Sequence, residues 1–261
     1  MFADLTGRTA LVTGAGRPGS MGAGIAAVLA RQGARVALTD RDEARMDEAL
    51  EAVGGSGTFG LTLDVTDTDS VRAAFAAALA TLGGTLDILV NNAGLGAGDD
   101  ERGWRATFEV NLHGTVRCCE AALASMRPRG YGKIVNISSI SGHDARGSAG
   151  SYGTSKAAVL RYTKGLAFDE APNGLNINAV CPGAVWTDMQ QHSFAHPEEI
   201  DPRFAGMTPY EAFVEYYRPL TPLDRVQSPD DVGRAVAFLA SDDAAQITGQ
   251  CLHVDGGAIR S

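Results

Sequence analysis

The chain has 261 residues, a length that suits one large α/β domain better than two small ones. Hydrophobic residues make up 44% of it and charged residues 20%, which excludes a chain that is disordered throughout. The formal net charge of −9 counts against a nucleic-acid partner, because phosphate binding requires a basic surface.

Seven short runs of aliphatic and β-branched residues recur along the chain and predict β-strands. Most of these runs are apolar at nearly every position, which is typical of parallel strands covered by helices on both faces. The predicted strands are Thr9–Thr13, Arg35–Thr39, Thr58–Val65, Asp87–Asn91, Lys133–Ser138, Asn176–Cys181 and Cys251–Asp255.

Helical patterns fill the stretches between these strands, near residues 22–32, 41–53, 68–82, 101–127, 152–171 and 230–241. Thr68 or Asp69 is expected to cap the third helix, and Ser228 with Pro229 is expected to open the last. The alternation predicts an α/β fold with a single doubly wound Rossmann-type domain over residues 1–261. Its seven-stranded parallel sheet is expected to carry helices on both faces.

Residues 188–226 break the alternation with prolines, aromatic residues and charges. In such a fold, an irregular insertion after a late strand lies at the carboxyl edge of the sheet, where ligands bind. We therefore predict a substrate lid at about 188–226. The side chains expected to wall the substrate pocket are Trp186, Met189, Phe194, Phe204, Tyr210, Phe213, Tyr216 and Tyr217. The alternative is that Phe213, Tyr216 and Tyr217 form the core face of a lid helix, and the two interpretations are compatible.

No export or membrane signal is found in the sequence. The first residues include Asp4 but no basic region followed by an apolar core, which is unlike a signal peptide. The most apolar charge-free run, residues 73–86, has fourteen residues and is too short to span a bilayer. The protein is therefore expected to be soluble and cytoplasmic, without a membrane partner.

Metal-ligand spacing is also absent, and no metal site is predicted. His192 and His196 lack a third ligand at a useful spacing. His143 and Asp144 are interpreted as loop residues at the substrate mouth rather than as a base and its orienting partner. The cysteines show no C-x-x-C pattern and are interpreted as buried free thiols: Cys118, Cys119, Cys181 and Cys251.

The first strand runs directly into a glycine-rich loop, residues 13–22, and then into a helical pattern. Glycines in such a loop let the backbone approach a pyrophosphate, and the following helix N-terminus offers N–H groups and a positive dipole. Gly14, Arg17, Ser20 and Met21 are therefore predicted to bind a dinucleotide, and a purely structural glycine turn is the alternative. The loop is about two residues longer than the common TGxxxGxG turn.

The second strand is followed by Asp40, whose carboxylate can accept hydrogen bonds from both hydroxyls of the adenosine ribose and would repel a 2′-phosphate. Asp40 therefore favours NAD over NADP, although Arg17 or Arg41 could bind a 2′-phosphate. Asp64, near the end of the third predicted strand, either accepts from the adenine amino group or serves as a turn or capping residue.

Ser139 follows the fifth strand, and Tyr152 and Lys156 come thirteen and seventeen residues later. Tyr152 and Lys156 are four positions apart, so they share one face of a helix. Tyrosine, with a reference pKa of about 10, acts as a base at neutral pH only if its phenolate is stabilised, here by an ammonium and a positive nicotinamide ring. Ser139, favoured over Ser138 and Ser141 by its spacing, would hydrogen-bond the substrate oxygen.

The chain resembles the classical short-chain dehydrogenase/reductase family along essentially its whole length. The glycine loop departs from the common pattern and resembles the loops of enoyl reductases, whereas the spacing of Tyr152 and Lys156 is the classical one. The motifs that carry the resemblance are the TG-start glycine loop, Asp64-Val65, Asn91-Asn92-Ala93-Gly94, Asn111, Ser139, Tyr152 with Lys156, and Pro182-Gly183-Ala184-Val185-Trp186-Thr187.

The resemblance implies that Tyr152 is the general acid/base, that Lys156 lowers its pKa and holds the nicotinamide ribose, and that Ser139 orients the substrate oxygen. It implies that Asn111 holds a helix kink and a water that links Lys156 to solvent. The implied cofactor contacts beyond the glycine loop and Asp40 are Asp64 and Val65, then Asn91, Ala93 and Gly94 along the adenosine ribose, and Pro182, Gly183, Val185 and Thr187 around the nicotinamide.

Together these features predict an NAD(H)-dependent oxidoreductase that interconverts a small secondary alcohol and a ketone by hydride transfer. The alternative is an NADPH-dependent 3-oxoacyl thioester reductase. Two features count against it: Asp40, and the lack of a basic cluster that would bind a carrier protein. A nucleotide-sensing protein without chemistry is disfavoured, because Ser139, Tyr152 and Lys156 are all present. The resemblance also implies a homotetramer, and alanine-rich helix faces near 101–127 and 152–171 support it.

Overall fold

Seven strands form one sheet in this computed structural model, which describes residues 3–96, 98–143 and 150–259, apart from the side chains of Asp188 and Met189. The strands are β1 Thr9–Thr13, β2 Arg35–Asp40, β3 Phe59–Thr62, β4 Ile88–Asn91, β5 Gly132–Ile137, β6 Leu175–Pro182 and β7 Cys251–Val254. They pair in parallel in the order β3-β2-β1-β4-β5-β6-β7. The predicted seven-stranded parallel sheet is confirmed, and its order reverses between β1 and β4, where doubly wound sheets bind ligands.

Helices connect the strands. They are α1 Met21–Arg31, α2 Met46–Val53, α3 Thr68–Leu82, α4 Glu101–Phe108, α5 Thr115–Met126, α6 Ser151–Glu170, α7 Asp188–Ser193, α8 Pro197–Ile200, α9 Pro209–Tyr217 and α10 Pro229–Ala240. Within the described residues, none of them combines the length and the apolar character that crossing a bilayer requires.

One helix start and one helix cap differ from the sequence prediction because short polar side chains bind nearby backbone groups. Helix α2 begins at Met46 rather than near 41, since Asp40 and then Asp42 accept hydrogen bonds from amides two residues ahead. Helix α3 has the predicted bounds, but its cap is Asp67, which accepts from the Asp69 amide, and not Thr68 or Asp69. Ser228 and Pro229 open α10 as predicted.

The long helix predicted near 101–127 is interrupted. Between α4 and α5 the residues Glu109–Gly114 form a π-helical turn, which contains the buried Asn111. The kink implied at Asn111 is thus a π-helical segment, a feature often found at functional sites. The Thr115 hydroxyl donates to the Asn111 carbonyl over 2.8 Å within this segment.

Alternate residues of the central strands enter two separate cores, one on each face of the sheet. In β1, Ala10 and Val12 pack with α1 and α10, whereas Leu11 packs on the opposite face with α3, α5 and α6. This arrangement explains why the strands are apolar at consecutive positions. Helices α1 and α10 approach so closely that a Cβ placed on Gly24 would lie 2.3 Å from the Pro229 Cβ.

The segment predicted to be a lid, 188–226, carries a small core of its own. Phe194, Phe204 and Phe213 are buried there, and Phe213 packs against Trp186 and Tyr217 with ring centres 5.0 and 4.9 Å apart. The interpretation of Phe213 as a core residue of this segment is therefore confirmed. The side chain of Met189 lies outside the described part, as does Asp144.

Candidate active site

A cleft of about 310 Å³ opens at the carboxyl ends of β1, β2, β4 and β5. It extends from Asp40 at one end to Tyr152 and Lys156 at the other. The predicted site residues that line it are Gly14, Arg17, Ser20, Met21, Asp40, Asp64, Val65, Ala93, Gly94, Tyr152, Lys156 and Thr187. The structure thus brings most of the residues predicted from the sequence into one continuous surface.

The glycine loop lies against the residues that follow β4. A Cβ on Gly14, whose φ is +66°, would come within 2.8 Å of the Ala93 Cα, and one on Gly22 would lie 2.3 Å from the Gly14 carbonyl oxygen. Ser20 caps α1, and its hydroxyl accepts a hydrogen bond from the Ala23 amide at 3.2 Å. The loop therefore presents glycine backbone and a helix N-terminus to the cleft, which suits a pyrophosphate.

Asp40 is held in place by backbone amides. Its two carboxylate oxygens accept from the amides of Gly16 at 3.1 Å and Asp42 at 3.3 Å. Each carboxylate oxygen has a second lone pair available for another donor, such as a ribose hydroxyl. Arg17, which also lines this part of the cleft, is paired with Asp42 at 3.2 Å.

Asp64 serves as a turn residue and also lines the cleft. One oxygen accepts from both the amide and the hydroxyl of Thr66, at 2.9 and 2.7 Å. This turn ends the third strand at Thr62, three residues before the predicted end, and leaves Asp64 and Val65 in the loop beside the cleft. The turn interpretation of Asp64 is confirmed, and a contact with adenine stays a prediction.

Ser139, Tyr152 and Lys156 lie together where β5 meets α6. Ser139 is a side-chain neighbour of Tyr152 and favours its phenolate, and the Ser139 Oγ accepts a hydrogen bond from the Ser141 amide at 3.1 Å. The Lys156 Nζ lies 5.7 Å from the centre of the Tyr152 ring and donates to the Ile137 carbonyl at 2.9 Å. Ser138 is used differently, since its buried hydroxyl donates to the Lys156 carbonyl at 2.9 Å.

Burial controls the protonation of this group. It raises the pKa of Tyr152, an effect that the neighbouring Ser139 side chain opposes, and it lowers the pKa of Lys156 to about 8. The lowered tyrosine pKa implied by the resemblance is therefore not produced by the chain alone. Desolvation of the phenolate outweighs the stabilisation that neighbouring side chains supply.

Asn111 connects the π-helical turn to this group. Its amide donates to the Ser155 Oγ at 2.9 Å and to the Leu95 carbonyl at 3.0 Å, and its oxygen accepts from the Leu95 amide at 2.7 Å. A Cβ on Gly94 would lie 3.4 Å from the Lys156 Nζ and 3.6 Å from the Asn111 oxygen. The glycine therefore allows the chain after β4 to approach both side chains.

Four predicted cofactor contacts lie outside the cleft. The Asn91 side chain points into the interior, where its amide donates to the Asn136 oxygen at 2.9 Å, so it ties β4 to β5 instead of facing a ribose. Pro182, Gly183 and Val185 do not line the cleft either. Gly183 packs beneath it, since a Cβ there would lie 2.6 Å from the Gln227 side-chain oxygen.

Sequence reasoning missed three apolar residues that line the cleft, Leu63, Leu95 and Val110. Leu63 lies within a predicted strand and Val110 within a predicted continuous helix, and neither pattern indicates a position beside a ligand. Leu95 follows the Asn91–Gly94 motif, but a single leucine in a loop carries no signal of its position. They supply the apolar walls that a flat aromatic ring requires.

The chain is similar to known proteins over nearly its whole length. Residues 14–258 match the family model described as enoyl-(acyl carrier protein) reductase. The chain is 35% identical to the 3-oxoacyl-(acyl-carrier-protein) reductase FabG of Vibrio cholerae, over 97% of this chain and 98% of that protein. It is 37% identical to the oxidoreductase UcpA of Salmonella typhimurium, over 97% and 95% of the two chains.

Solved structures show the same similarity. Levodione reductase superposes with a TM-score of 0.86 at 29% identity, covering 97% of each chain. A protein of Burkholderia xenovorans described as a short-chain dehydrogenase/reductase superposes with a TM-score of 0.88 at 36% identity, covering 98% of each chain. The similarity therefore extends to both the fold and the full length.

Proposed function

This chain belongs to the short-chain dehydrogenase/reductase family, and on that basis we propose that it is an NAD(H)-dependent oxidoreductase that interconverts a small secondary alcohol and a ketone. The observation that carries this proposal is that Tyr152 and Lys156 meet at one end of a cleft that reaches Asp40, with the Lys156 Nζ 5.7 Å from the centre of the Tyr152 ring. The cleft and the acid/base group are contiguous, as hydride transfer next to proton transfer requires.

The residues of the cleft fit a nicotinamide dinucleotide. Gly14 and Gly22 leave no room for a Cβ, so the loop backbone is open to a pyrophosphate beside the start of α1. Asp40 would hold the adenosine ribose, and Asp64 and Val65 border the place of the adenine. Lys156 and Thr187 border the opposite end, where the nicotinamide ribose would lie. When bound, the dinucleotide supplies the hydride acceptor or donor.

Ser139 and Tyr152 would act on the substrate oxygen. Placed between the two hydroxyl groups, a ketone oxygen accepts a hydrogen bond from each and is polarised. When a hydride from the bound dinucleotide adds to the carbonyl carbon, negative charge would develop on this oxygen, and the proton of the Tyr152 Oη would move to it to complete the alcohol. The raised pKa of Tyr152 keeps the phenol protonated at neutral pH, which suits its role as an acid in this direction.

Lys156 would act on both the tyrosine and the cofactor. An ammonium has three donors, of which one is used by the Ile137 carbonyl and the others can reach a ribose hydroxyl. In the oxidation direction its positive charge stabilises the phenolate that must form on Tyr152. Asn111 would position this machinery through Ser155 without touching the substrate.

Asp40 supports NAD as the cofactor. Its carboxylate is fixed at the end of β2 by two amides, and a 2′-phosphate placed there would meet its negative charge. Arg17, one of the two arginines that could compensate, is already paired with Asp42. Titration of the protein with NADH and with NADPH, followed by nicotinamide fluorescence, tests this preference, and tighter binding of NADPH would contradict it.

A 3-oxoacyl thioester reductase that uses NADPH is the second candidate. It is favoured by the 35% identity to the FabG protein of Vibrio cholerae over nearly the full length of both chains. Asp40 favours the first candidate instead. A panel of diols, cyclic alcohols, sugar alcohols, steroids and 3-oxoacyl thioesters, read at the absorbance of the reduced nicotinamide, separates the two.

Replacement of one hydroxyl group tests the chemistry. We expect Tyr152→Phe to lower turnover by about 100-fold or more, because it removes the proton donor and leaves the ring in place. Tyr162→Phe is the matched control, since Tyr162 is on the same helix and packs in the core away from the cleft. Equal activity in the two variants would contradict the role of Tyr152.

A further inference from the structure

Three side chains of the types that bind transition metals meet outside the cleft. A nitrogen of His143, the sulfur of Cys181 and a nitrogen of His253 all lie within 4.8 Å of one another. Cys181 and His253 occupy paired positions of β6 and β7, so their side chains leave the sheet on the same face. His143 follows the short 3₁₀ turn after Ser139, and its ring meets that of His253 edge to face, 4.6 Å between centres.

A second observation points to a ligand at this place. The Nε2 atom of His253 is shielded from solvent and has no hydrogen-bond partner among the described residues. A buried polar atom without a partner is destabilising and is usually explained by a ligand, an ion or an ordered water. The His253 nitrogen is one of the atoms available to complete the cluster.

We propose that His143, Cys181 and His253 form a binding site for a thiophilic transition-metal ion, with Zn²⁺ as its physiological occupant. Two imidazoles and a thiolate are ligands that Zn²⁺ prefers, and three protein ligands leave a fourth position for water or another small ligand. The exposed His143 provides the entry route, and the buried Cys181 provides the anchor.

The side chains must move only slightly to bind an ion. Bond lengths of about 2.0–2.1 Å to nitrogen and 2.3 Å to sulfur place tetrahedral ligands about 3.3–3.6 Å apart. The three ligand atoms now lie up to 4.8 Å apart, so a shift of about 1 Å brings them to the separation that a bound ion requires. Binding converts the Cys181 thiol to a metal thiolate, and its proton passes to the buffer, with no change in oxidation state.

Some nearby charges weaken the binding of a cation at this site and others strengthen it. The ammonium groups of Lys156 and Lys164 act electrostatically on Cys181 and His143, and they repel a cation. The carboxylate of Asp255 also acts on Cys181 and offsets part of this repulsion. Conversion of the thiol to a thiolate on binding lowers the positive charge of the occupied site further. Removal of a lysine charge should therefore strengthen binding.

The three ligands do not line the cleft, so metal binding can be measured without turnover. The probe is Co²⁺ added to the reduced, metal-free full-length protein, because a cobalt–thiolate bond gives a charge-transfer absorption in the near ultraviolet. We expect one Co²⁺ per chain with this absorption, and its displacement by one equivalent of Zn²⁺. Calorimetric titration with Zn²⁺ then gives the affinity of each variant.

Cys181→Ser should abolish the charge-transfer band and weaken Zn²⁺ binding by about 100-fold or more. His143→Ala and His253→Ala should each weaken binding at least about tenfold and keep the band at high Co²⁺. Cys251→Ser and His192→Ala are the matched controls and should bind as the unchanged protein does, whereas Lys164→Ala should bind more tightly.

An absorption that survives in Cys181→Ser, or equal weakening in the control variants, would show adventitious surface binding only and would overturn the site. So would a protein that binds no Co²⁺ under these conditions. If Cys181→Ser does not fold, as judged by circular dichroism, His143→Ala decides the question, because its side chain is exposed and its loss leaves the core intact.

Discussion

Asn111 donates a hydrogen bond from its Nδ2 to the Ser155 Oγ, and this 2.9 Å contact joins the π-helical turn to the helix that carries Tyr152 and Lys156. The Ser155 Oγ donates in turn to the Tyr152 carbonyl at 2.7 Å. A polar relay thus fixes the backbone of the proposed acid/base residue from a neighbouring helix. Asn111 is a positioning residue in this arrangement.

Replacement of Asn111 by leucine keeps the branched shape of the side chain and removes three hydrogen bonds, two of them to Leu95. We expect kcat to fall about 10- to 100-fold with little change in KM, together with a stability loss of about 1–3 kcal/mol, because the Leu95 amide is left unpaired. Steady-state kinetics and thermal unfolding measure the two effects. Thr115→Val, which removes one hydroxyl from the same π-helical turn, is the control. Equal kcat losses in the two variants would mean that Asn111 acts only through stability.

Asp40→Ala should weaken NAD binding and improve the relative use of NADP. The change removes a ribose acceptor and a charge that repels a 2′-phosphate. The loss of charge-assisted hydrogen bonds predicts a shift of about tenfold or more in the NAD/NADP preference. Asp47→Ala removes an equal charge from the exposed face of α2 and should leave the ratio unchanged. An unaltered ratio in Asp40→Ala would remove Asp40 from the cofactor site.

Lys156→Met should abolish most activity at pH 7, because the phenolate of Tyr152 loses its nearby positive charge. Burial already raises the pKa of Tyr152, so activity should return only as the pH rises toward 10 and above. Lys156→Arg should also be poor, since a planar guanidinium does not reproduce a compact ammonium with three donors. Lys164→Met, two turns further along α6, should cost little activity. Equal and mild effects at Lys156 and Lys164 would mean that the Tyr–Lys pair is only a helix pattern.

Lys156→Met should be more stable than the unchanged protein at neutral pH. Burial lowers the pKa of Lys156 to about 8, below the ordinary 10.5, so the unfolded chain binds the proton more tightly. The resulting penalty is fully present below pH 8 and is lost as the pH rises through 8 to 10.5. It amounts to about 3 kcal/mol, and loss of the hydrogen bond to Ile137 reduces the gain. Thermal unfolding of both proteins from pH 7 to pH 10.5 should show the difference shrinking.

The protein should assemble into a homotetramer. A groove along the π-helical turn, α5 and α6 is lined by apolar residues such as Val116 and by charged ones such as Arg161 and Asp169, and the side chain of Phe168 on α6 is 82% exposed. Exposed apolar side chains beside residues of both charges are suited to a symmetric contact between copies. Light scattering at micromolar concentration measures the mass, and Phe168→Glu should lower it. A monomer in the unchanged protein would contradict this prediction.

Periodicity predicted the kinds of element well, because the central strands are apolar on both faces and the helical patterns fall between the strands. Local backbone chemistry was harder to predict: Asp42 delays the start of α2, and Asp64 ends β3 early. Both are side-chain hydrogen bonds to nearby amides, which the pattern of apolar residues does not record. The interruption at Asn111 is likewise invisible to the hydrophobic period.

Site prediction worked where a residue follows a strand directly, as Asp40 and Ser139 do, since all carboxyl ends of parallel strands meet at one edge. The direction of the Asn91 side chain was harder to predict, because strand position alone does not say whether a polar side chain turns toward the cleft or toward the next strand. Sequence reasoning interpreted His143 as a loop residue at the substrate mouth and Cys181 as a buried free thiol, and it did not group them with His253. The three come together only through the pairing of β6 with β7 and the return of the chain after β5. Spacing rules detect ligands within one element and not across three.

The aromatic core of residues 188–226 makes this segment a separate packing unit on the sheet. Because Phe194, Phe204 and Phe213 pack against one another rather than into the sheet, the segment draws its cohesion from within. Substitutions on its outer side, at exposed positions such as Tyr210 and Tyr216, should therefore leave undisturbed the strands that fix Ser139 and Asp40. The molecule thus separates a sheet that holds the candidate site from a surface segment whose sequence can change at little cost to that sheet.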